Sequence, residues 1–158
     1  MIIMNIEILE LSKRIELIDK AIDYIWNCWG NKNNFNFYKD CISNSLDEKN
    51  ILPKFYLVIN NNEIIGSYAL LINDIISRQD LFPWLACLYV NKEYRNKGIA
   101  GQLLKHGLNE ANRKGYPVLY LSTDIGGFYE KYGWIYIADG FNITDMKIRI
   151  YTKSTLSL

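Results

Sequence analysis

Residues 94–103 carry the residue types of an anion-binding turn. They follow an apolar, strand-like segment, and their second half begins a helix. N–H groups in the first turn of a helix lack intrahelical partners, and the helix dipole adds positive charge, so phosphate binds readily there. Gly98 and Ala100 keep the backbone accessible, while Arg95 and Lys97 add two full charges. The turn is therefore a candidate phosphate-binding site.

The pattern Arg-x-x-Gly-x-Ala is weak without its context, since about one chain in seven of this length contains it by chance. Two better-known classes of phosphate-binding protein are excluded because their motifs are absent from the sequence. The chain has no G-x-x-x-x-G-K-[ST] loop. It also has no G-x-G-x-x-G after a strand, which argues against a dinucleotide-binding fold.

Composition narrows the class of protein further. The 158 residues suit one domain, 1–158, and a net charge of +1 from 18 basic and 17 acidic residues indicates neither nucleic-acid nor membrane binding. Three cysteines and one histidine predict reduced thiols in the cytoplasm and no metal site built from Cys and His. The opening Met1–Met4 run is too short for a signal peptide or a membrane span.

Hydrophobic spacing predicts the first half of the fold. Residues 2–9 alternate as a strand, and a helix capped by Ser12 is expected to run to Trp29 and to end at Gly30. Its apolar face is Ile15, Ile18, Ile22, Ile25 and Trp29. A second helix is expected over 35–46. Strands over 55–59 and 64–72 flank an Asn-Asn-Asn turn, which is a hairpin signal.

The second half alternates strands with helices. A buried strand over 84–90 precedes a helix whose apolar face is Ile99, Ala100, Leu103, Leu104, Leu108 and Ala111, ended by Gly115 and Pro117. Then follow a strand (118–121), a short helix (127–132) and two strands (134–138 and 142–151). This order predicts an α/β (α+β) fold with a mixed, mostly antiparallel sheet of six to seven strands and helices on both faces.

Two motifs in this half resemble a known family. The first runs from Leu88-Tyr89-Val90 through Arg95-Asn96-Lys97-Gly98-Ile99-Ala100 to Leu103-Leu104, and the second is Phe128-Tyr129-Glu130-Lys131-Tyr132-Gly133-Trp134. They are similar, in order and content, to the pyrophosphate loop Q/R-x-x-G-x-G/A and the F/L-Y-x-x-x-G-F/W motif of the GNAT superfamily. Members of that superfamily are acyl-CoA-dependent N-acyltransferases. The resemblance covers about residues 84–138.

The resemblance implies acetyl-CoA as acyl donor and no metal. The residues it assigns to coenzyme binding are Leu88, Tyr89, Val90, Arg95, Asn96, Lys97, Gly98, Ile99, Ala100, Gly101, Thr123 and Tyr129. One departure affects this set, because many members carry an Asn after the fifth strand that contacts the CoA arm. Residues 122–127 contain no Asn. Either Thr123 or Ser122 replaces that contact, or it is lost.

The implied reaction is direct attack of an amine on the thioester within a ternary complex. By its position in the second motif, Tyr129 would protonate the departing thiolate. A free amine near pKa ~10 is protonated at neutral pH, so a carboxylate must accept its proton. Asp74 and Asp80 are the candidates, with solvated loop charges as the alternative for each. Backbone N–H groups of the strand over 84–90 would stabilise the oxyanion.

Other reactive side chains are assigned no chemistry. His106 lies off the motifs, and Cys87 is expected to be a small buried hydrophobe with no activating base. Trp26, Trp29 and Trp84 are interpreted as core, although one of them can wall an acceptor pocket.

The expected function is acetylation of the primary amine of a small molecule. Acetylation of a protein N-terminus or lysine and a catalytically silent acyl-CoA-binding module are the alternatives. A homodimer through the terminal strands, as in some relatives, is also left open.

Overall fold

The computed structural model describes residues 4–156. Within that range lie seven strands and three α-helices. The strands are β1 Ile6–Glu10, β2 Lys54–Asn60, β3 Glu63–Leu71, β4 Trp84–Val90, β5 Val118–Thr123, β6 Ile135–Phe141 and β7 Lys147–Ser154. The helices are α1 Ile18–Trp29, α2 Phe35–Asn44 and α3 Ile99–Arg113. Residues 2 and 3 of the predicted first strand lie outside the described residues.

The strands form one sheet in the order β1-β2-β3-β4-β5-β7-β6. The pairs β1–β2, β5–β7 and β6–β7 are antiparallel, whereas β4 and β5 are parallel, with Trp84 opposite Tyr120. The predicted mixed, mostly antiparallel sheet of six to seven strands is therefore confirmed. By contacts the chain divides into two compact units. Unit 1 comprises residues 1–69 and 87–103, and unit 2 comprises 70–86 and 104–158.

Unit 1 contains the predicted hairpin of β2 and β3. Asn61 (φ 48°) and Asn62 (φ 69°) both adopt left-handed conformations, which a tight two-residue hairpin turn requires and which Asn tolerates. On these strands Tyr56 and Tyr68 are fully buried, and their rings stack 4.5 Å apart. The hairpin prediction is confirmed.

The predicted start of the first helix in unit 1 was wrong. Residues 11–13 and 15–17 form two short 3-10 turns, and α1 starts at Ile18. Ser12 caps no helix, because its hydroxyl donates to the side chain of Glu10. Ile15 lies before the helix and is 61% exposed, and Trp29 at the other end is 45% exposed. The buried face of α1 is Ala21, Ile22 and Ile25.

Unit 2 contains a core cluster formed by Ile76, Trp84 and Ile150. Leu81, Tyr120 and Ile148 pack against it. Along β5, buried residues (Leu119, Leu121, Thr123) alternate with half-buried ones, so the strand turns two different faces to its surroundings.

Several predicted elements of unit 2 have different bounds, since β5 runs to Thr123 and β6 covers Ile135–Phe141. The last strand starts at Lys147 instead of residue 142, because Asn142 closes a turn. Its Oδ1 accepts hydrogen bonds from the backbone N–H groups of Thr144 and Met146, each at 3.0 Å. The short helix predicted over 127–132 is a 3-10 turn at Tyr129–Tyr132.

The predicted apolar face of α3 is confirmed except at Ala100, which is half-buried. Ile99, Leu103, Leu104, Leu108 and Ala111 are each at most 2% exposed.

No helix within residues 4–156 is long and apolar enough to cross a bilayer.

Candidate active site

The turn between β4 and α3 lies in unit 1 and is open to solvent. Residues 95–98 are exposed, and Asn96 (φ 60°) and Gly98 (φ 79°) adopt left-handed conformations. A Cβ added at Gly98 would meet no atom within 4 Å, so there is room for a side chain at this position. Glycine is favoured there because of its left-handed backbone conformation. The N–H of Gln102 donates to the carbonyl of Gly98 at 3.1 Å. The amides that precede it are the first-turn donors of α3.

The two cations of the turn are held by backbone carbonyls. Arg95 donates its Nε–H to the carbonyl of Val90 at 2.9 Å, and its guanidinium carbon lies 5.3 Å from the centre of the Tyr89 ring. Lys97 donates from Nζ to the carbonyl of Glu93 at 3.1 Å. The guanidinium of Arg95 therefore keeps further N–H donors for an anion while its position is set by β4.

The end of β4 in unit 1 is irregular. Cys87 adopts φ 52°, a conformation that is uncommon for residues other than glycine. Cys87, Leu88 and Tyr89 are half-buried, so the prediction of a buried Cys87 was wrong. Nothing in the local sequence signals this turn of the backbone, because Cys is neither Gly nor Asn.

Tyr89, a predicted coenzyme contact, has two aromatic neighbours on α1. The rings of Tyr24 and Trp29 each meet it edge-on at 6.4 Å between centroids. The hydroxyl of Tyr24 donates to Asn91 Oδ1 at 2.6 Å, which ties α1 to the residue that follows β4. Trp29, interpreted from the sequence as core, is partly exposed beside this cluster.

In unit 2 the structure brings Tyr129 and Thr123 together. Tyr129 begins the 3-10 turn and is half-buried, with Phe128 edge-on at 5.0 Å and Tyr151 tilted at 6.0 Å. Burial, and then the negative charge of Asp124, raises the pKa of Tyr129 to about 12, while a hydrogen bond with the Thr123 side chain opposes the shift. Tyr129 is therefore a neutral phenol throughout the physiological range.

The two candidate bases occupy different environments, although both precede β4. Asp74 is half-buried, and its Oδ2 accepts a hydrogen bond of 3.0 Å from the Ser122 hydroxyl. Burial raises the pKa of Asp74 to about 6. Asp80 is exposed and paired with Arg78 through two hydrogen bonds of 2.8 and 2.7 Å, which hold its pKa below the usual range. Asp74 is the better proton acceptor of the two.

A cavity of about 330 Å³ in unit 2 includes none of the predicted site residues. It is lined by Asp124, Tyr136, Asp139, Lys147, Ile148 and Arg149. Two of these residues, Lys147 and Asp139, form an ion pair at 3.3 Å. Sequence reasoning missed this group, because its members come from β6, β7 and the loop after β5 and share no motif.

Comparison with known proteins gives a family and a fold. The sequence model of the acetyltransferase (GNAT) domain matches residues 53–136, which include both motifs. No curated protein matches the chain. Among solved structures, a GNAT family acetyltransferase from Elizabethkingia anophelis with acetyl-CoA bound has a TM-score of 0.68 at 22% identity and covers 95% of this chain and 98% of its own.

Two further structures have similar scores. An aminoglycoside 6'-acetyltransferase type Ii has a TM-score of 0.73 at 17% identity, covering 96% of this chain and 99% of its own. An aminoglycoside 6'-N-acetyltransferase complexed with coenzyme A has 0.72 at 15%, covering 96% and 98%. At such low identity these structures show the shared fold.

The matched domain defines the class of protein: an acyltransferase that takes its acetyl group from acetyl-CoA. The chain belongs to the GNAT acetyltransferase family, as its two motifs predicted. Acetyl-CoA is accordingly its acyl-donor substrate.

Proposed function

We propose that this enzyme acetylates the primary amine of a small molecule by direct attack within a ternary complex. The observation that carries the proposal is Asp74, a half-buried carboxyl whose pKa is set by burial and by Ser122 rather than by a cation. Such a group can both attract an alkylammonium and accept its proton. The aminoglycoside acetyltransferases among the similar structures support a small-molecule acceptor.

The turn after β4 is proposed to bind the pyrophosphate of acetyl-CoA. The amides at the start of α3 supply oriented donors, and Arg95 and Lys97 supply charge from positions that backbone carbonyls already hold. The residues proposed to line the coenzyme are those of the first motif, namely Leu88, Tyr89, Val90, Arg95, Asn96, Lys97, Gly98, Ile99, Ala100 and Gly101, together with Thr123 and Tyr129. The first three would contribute backbone groups to the acetyl and pantetheine parts.

Asp74 is the proposed general base. An alkylamine has a pKa near ~10, so most of it carries a proton that must leave before attack. A carboxylate with a pKa of about 6 is a stronger base than an ordinary Asp and is still ionised at pH 7. Asp80 stays a second candidate, weakened by its ion pair with Arg78.

Tyr129 is the proposed general acid. Its phenol is protonated at neutral pH, so it has a proton to share with the departing thiolate. A pKa of about 12 makes full transfer to an ordinary thiolate of pKa ~8.5 unfavourable. The same burial would also raise the pKa of a thiol next to Tyr129, which reduces the difference between the two pKa values. Thr123 would hold the phenol through its hydrogen bond.

A panel of acceptors tests the proposal. Thiol release from acetyl-CoA would be measured with aminoglycosides, polyamines and amino acids, and in parallel with peptides that offer a free N-terminus or a lysine. Turnover of a small amine well above that of every peptide supports the proposal. The reverse ranking would identify a protein acetyltransferase. Coenzyme binding by calorimetry without any turnover would identify a silent acyl-CoA-binding module.

Oligomeric state and location also stay predictions. Sedimentation equilibrium would show whether the protein forms the homodimer that some relatives suggest. Fractionation of cells would test the predicted cytoplasmic location.

A further inference from the structure

One side chain holds the carboxylate of Asp74. Ser122, the next-to-last residue of β5, donates its hydroxyl to Asp74 Oδ2 at 3.0 Å across 48 positions of sequence. A hydrogen bond to an ionised carboxylate is stronger than one between neutral groups, and it also fixes the direction in which the second oxygen points. The two residues form a pair that the sequence gives no reason to join.

The strand register explains which side of the sheet this pair occupies. Ser122 lies opposite Ile150 of β7, so the two side chains share a face. Ile150 belongs to the apolar cluster with Ile76 and Trp84, and Ile76 follows Asp74 by two residues. Asp74 therefore lies two residues before a member of this apolar cluster, and its carboxyl bonds to a side chain on the face of β5 that Ile150 shares.

The backbone around Asp74 is fixed independently of Ser122. Ile76 forms a β-bridge with Asn142 at the end of the β6–β7 hairpin. Next to it, the N–H of Ser77 donates to the carbonyl of Phe141 at 2.9 Å, and the N–H of Phe141 donates to the Ser77 hydroxyl at 2.9 Å. These contacts anchor the segment, so the Ser122 hydroxyl has the separate task of orienting the Asp74 carboxylate.

We propose that Ser122 is a positioning residue that orients Asp74 for proton transfer from the acceptor amine. This inference rests on the proposed function. Loss of the hydroxyl leaves the buried carboxylate with one hydrogen bond fewer, so its charged form becomes less favourable and its side chain gains rotational freedom. Both effects reduce the fraction of enzyme that is ready to accept the proton.

The charged groups near this pair act mainly on one another. On the segment of Asp74 itself, Arg78 and Asp80 are joined in their own ion pair. On β5, Tyr120 contributes to the pKa of Arg78, and on β7 Arg149 lies opposite Thr123, on the other face from Ser122. Burial and the Ser122 hydrogen bond are the influences that move the pKa of Asp74, in opposite directions.

The test compares Ser122→Ala with Ser122→Thr, which keeps a hydroxyl. In Ser122→Ala we expect kcat to fall about tenfold with KM for acetyl-CoA unchanged. We also expect the acidic limb of the kcat/KM profile to move to higher pH by up to about one unit. Ser122→Thr should restore both. Thr152→Val is the matched control, because it removes another part-buried hydroxyl, bonded to the carbonyl of Leu119, from the same pair of strands.

A measurement that needs no turnover separates failure of this inference from failure of the proposed function. The carboxyl ¹³C resonance of Asp74, assigned with Asp74→Asn, would be titrated in the wild type and in Ser122→Ala. A higher midpoint in the variant supports the inference. An active wild type with the same midpoint and the same pH profile in Ser122→Ala would overturn the inference alone. A wild type that acetylates no amine would overturn the proposed function, and the catalytic role of Ser122 with it.

Discussion

The turn at residues 95–98 and the buried groups of unit 2 are built in opposite ways. The turn is exposed, carries two cations and presents backbone amides whose direction follows from two left-handed residues. Asp74 and Tyr129 are partly buried, and each has its pKa raised mainly by desolvation. An anion-binding site needs accessible donors and positive charge, whereas a proton-transfer site needs groups whose pKa departs from that in water.

This difference predicts different responses to substitution. Changes in the turn should alter coenzyme affinity and leave the protonation of the catalytic groups alone. Changes in the buried groups should alter turnover and pH dependence and leave coenzyme affinity alone. A variant that moved both quantities together would show that the two regions are not separable in this way.

The largest effect is expected for Asp74→Asn. Removing the proposed general base should lower kcat/KM for the amine by about 10²–10⁴-fold, with the dissociation constant of CoA within about twofold. Asp80→Asn is the control, because its carboxylate is exposed and paired with Arg78. Steady-state kinetics would decide between the two, and a larger loss in Asp80→Asn would make Asp80 the base.

Gly98→Asp should weaken CoA binding by about 100-fold, because it places a negative charge at the proposed pyrophosphate site. Gly115→Asp is a matched control at the other end of α3. Gly115 has φ 90° and equally open surroundings, so backbone strain is the same while the charge lies far along the helix. Titration calorimetry with equal CoA affinity in both variants would refute the assignment of the turn.

Tyr129→Phe should lower kcat by about 10–100-fold with CoA affinity within about twofold, since it removes the proposed proton donor and keeps the ring, with its packing against Phe128 and Tyr151. Because the pKa of Tyr129 is about 12, the wild type should show no alkaline limb from this group below about pH 11. Full turnover in Tyr129→Phe would limit the tyrosine to packing.

The smallest effect concerns stability. The pKa of Asp74 rises from 3.8 to about 6 on folding, so the folded state binds this proton more tightly than the unfolded state does. The free energy of unfolding therefore includes a favourable contribution from protonated Asp74, which is complete below about pH 4. This contribution is lost as pH rises through about 6. Asp74→Asn should therefore stabilise the protein by about 1–3 kcal/mol at pH 7.5 and not at pH 4. Urea unfolding at both pH values would measure it, and a destabilised variant at pH 7.5 would contradict it.

Much of the fold could be predicted from local pattern. The Asn-Asn-Asn hairpin, the apolar face of α3 and the order of strands follow from turn chemistry and hydrophobic period, which neighbouring residues set. The start of α1 was misjudged because Ser12 bonds to Glu10 instead of a helix amide. The last strand began late because the side chain of Asn142 closes a turn that the alternating pattern does not show.

By itself the sequence determined the family and the position of the proposed anion-binding turn, because both depend on residues that are adjacent in the chain. Tertiary structure alone decided which of the two aspartates is suited to proton transfer. Asp74 and Asp80 are six residues apart and chemically identical, but one meets Ser122 from a distant strand and loses water, while the other meets Arg78 in solvent. Desolvation and long-range pairing are properties of the folded chain, and they set the pKa on which the chemistry depends.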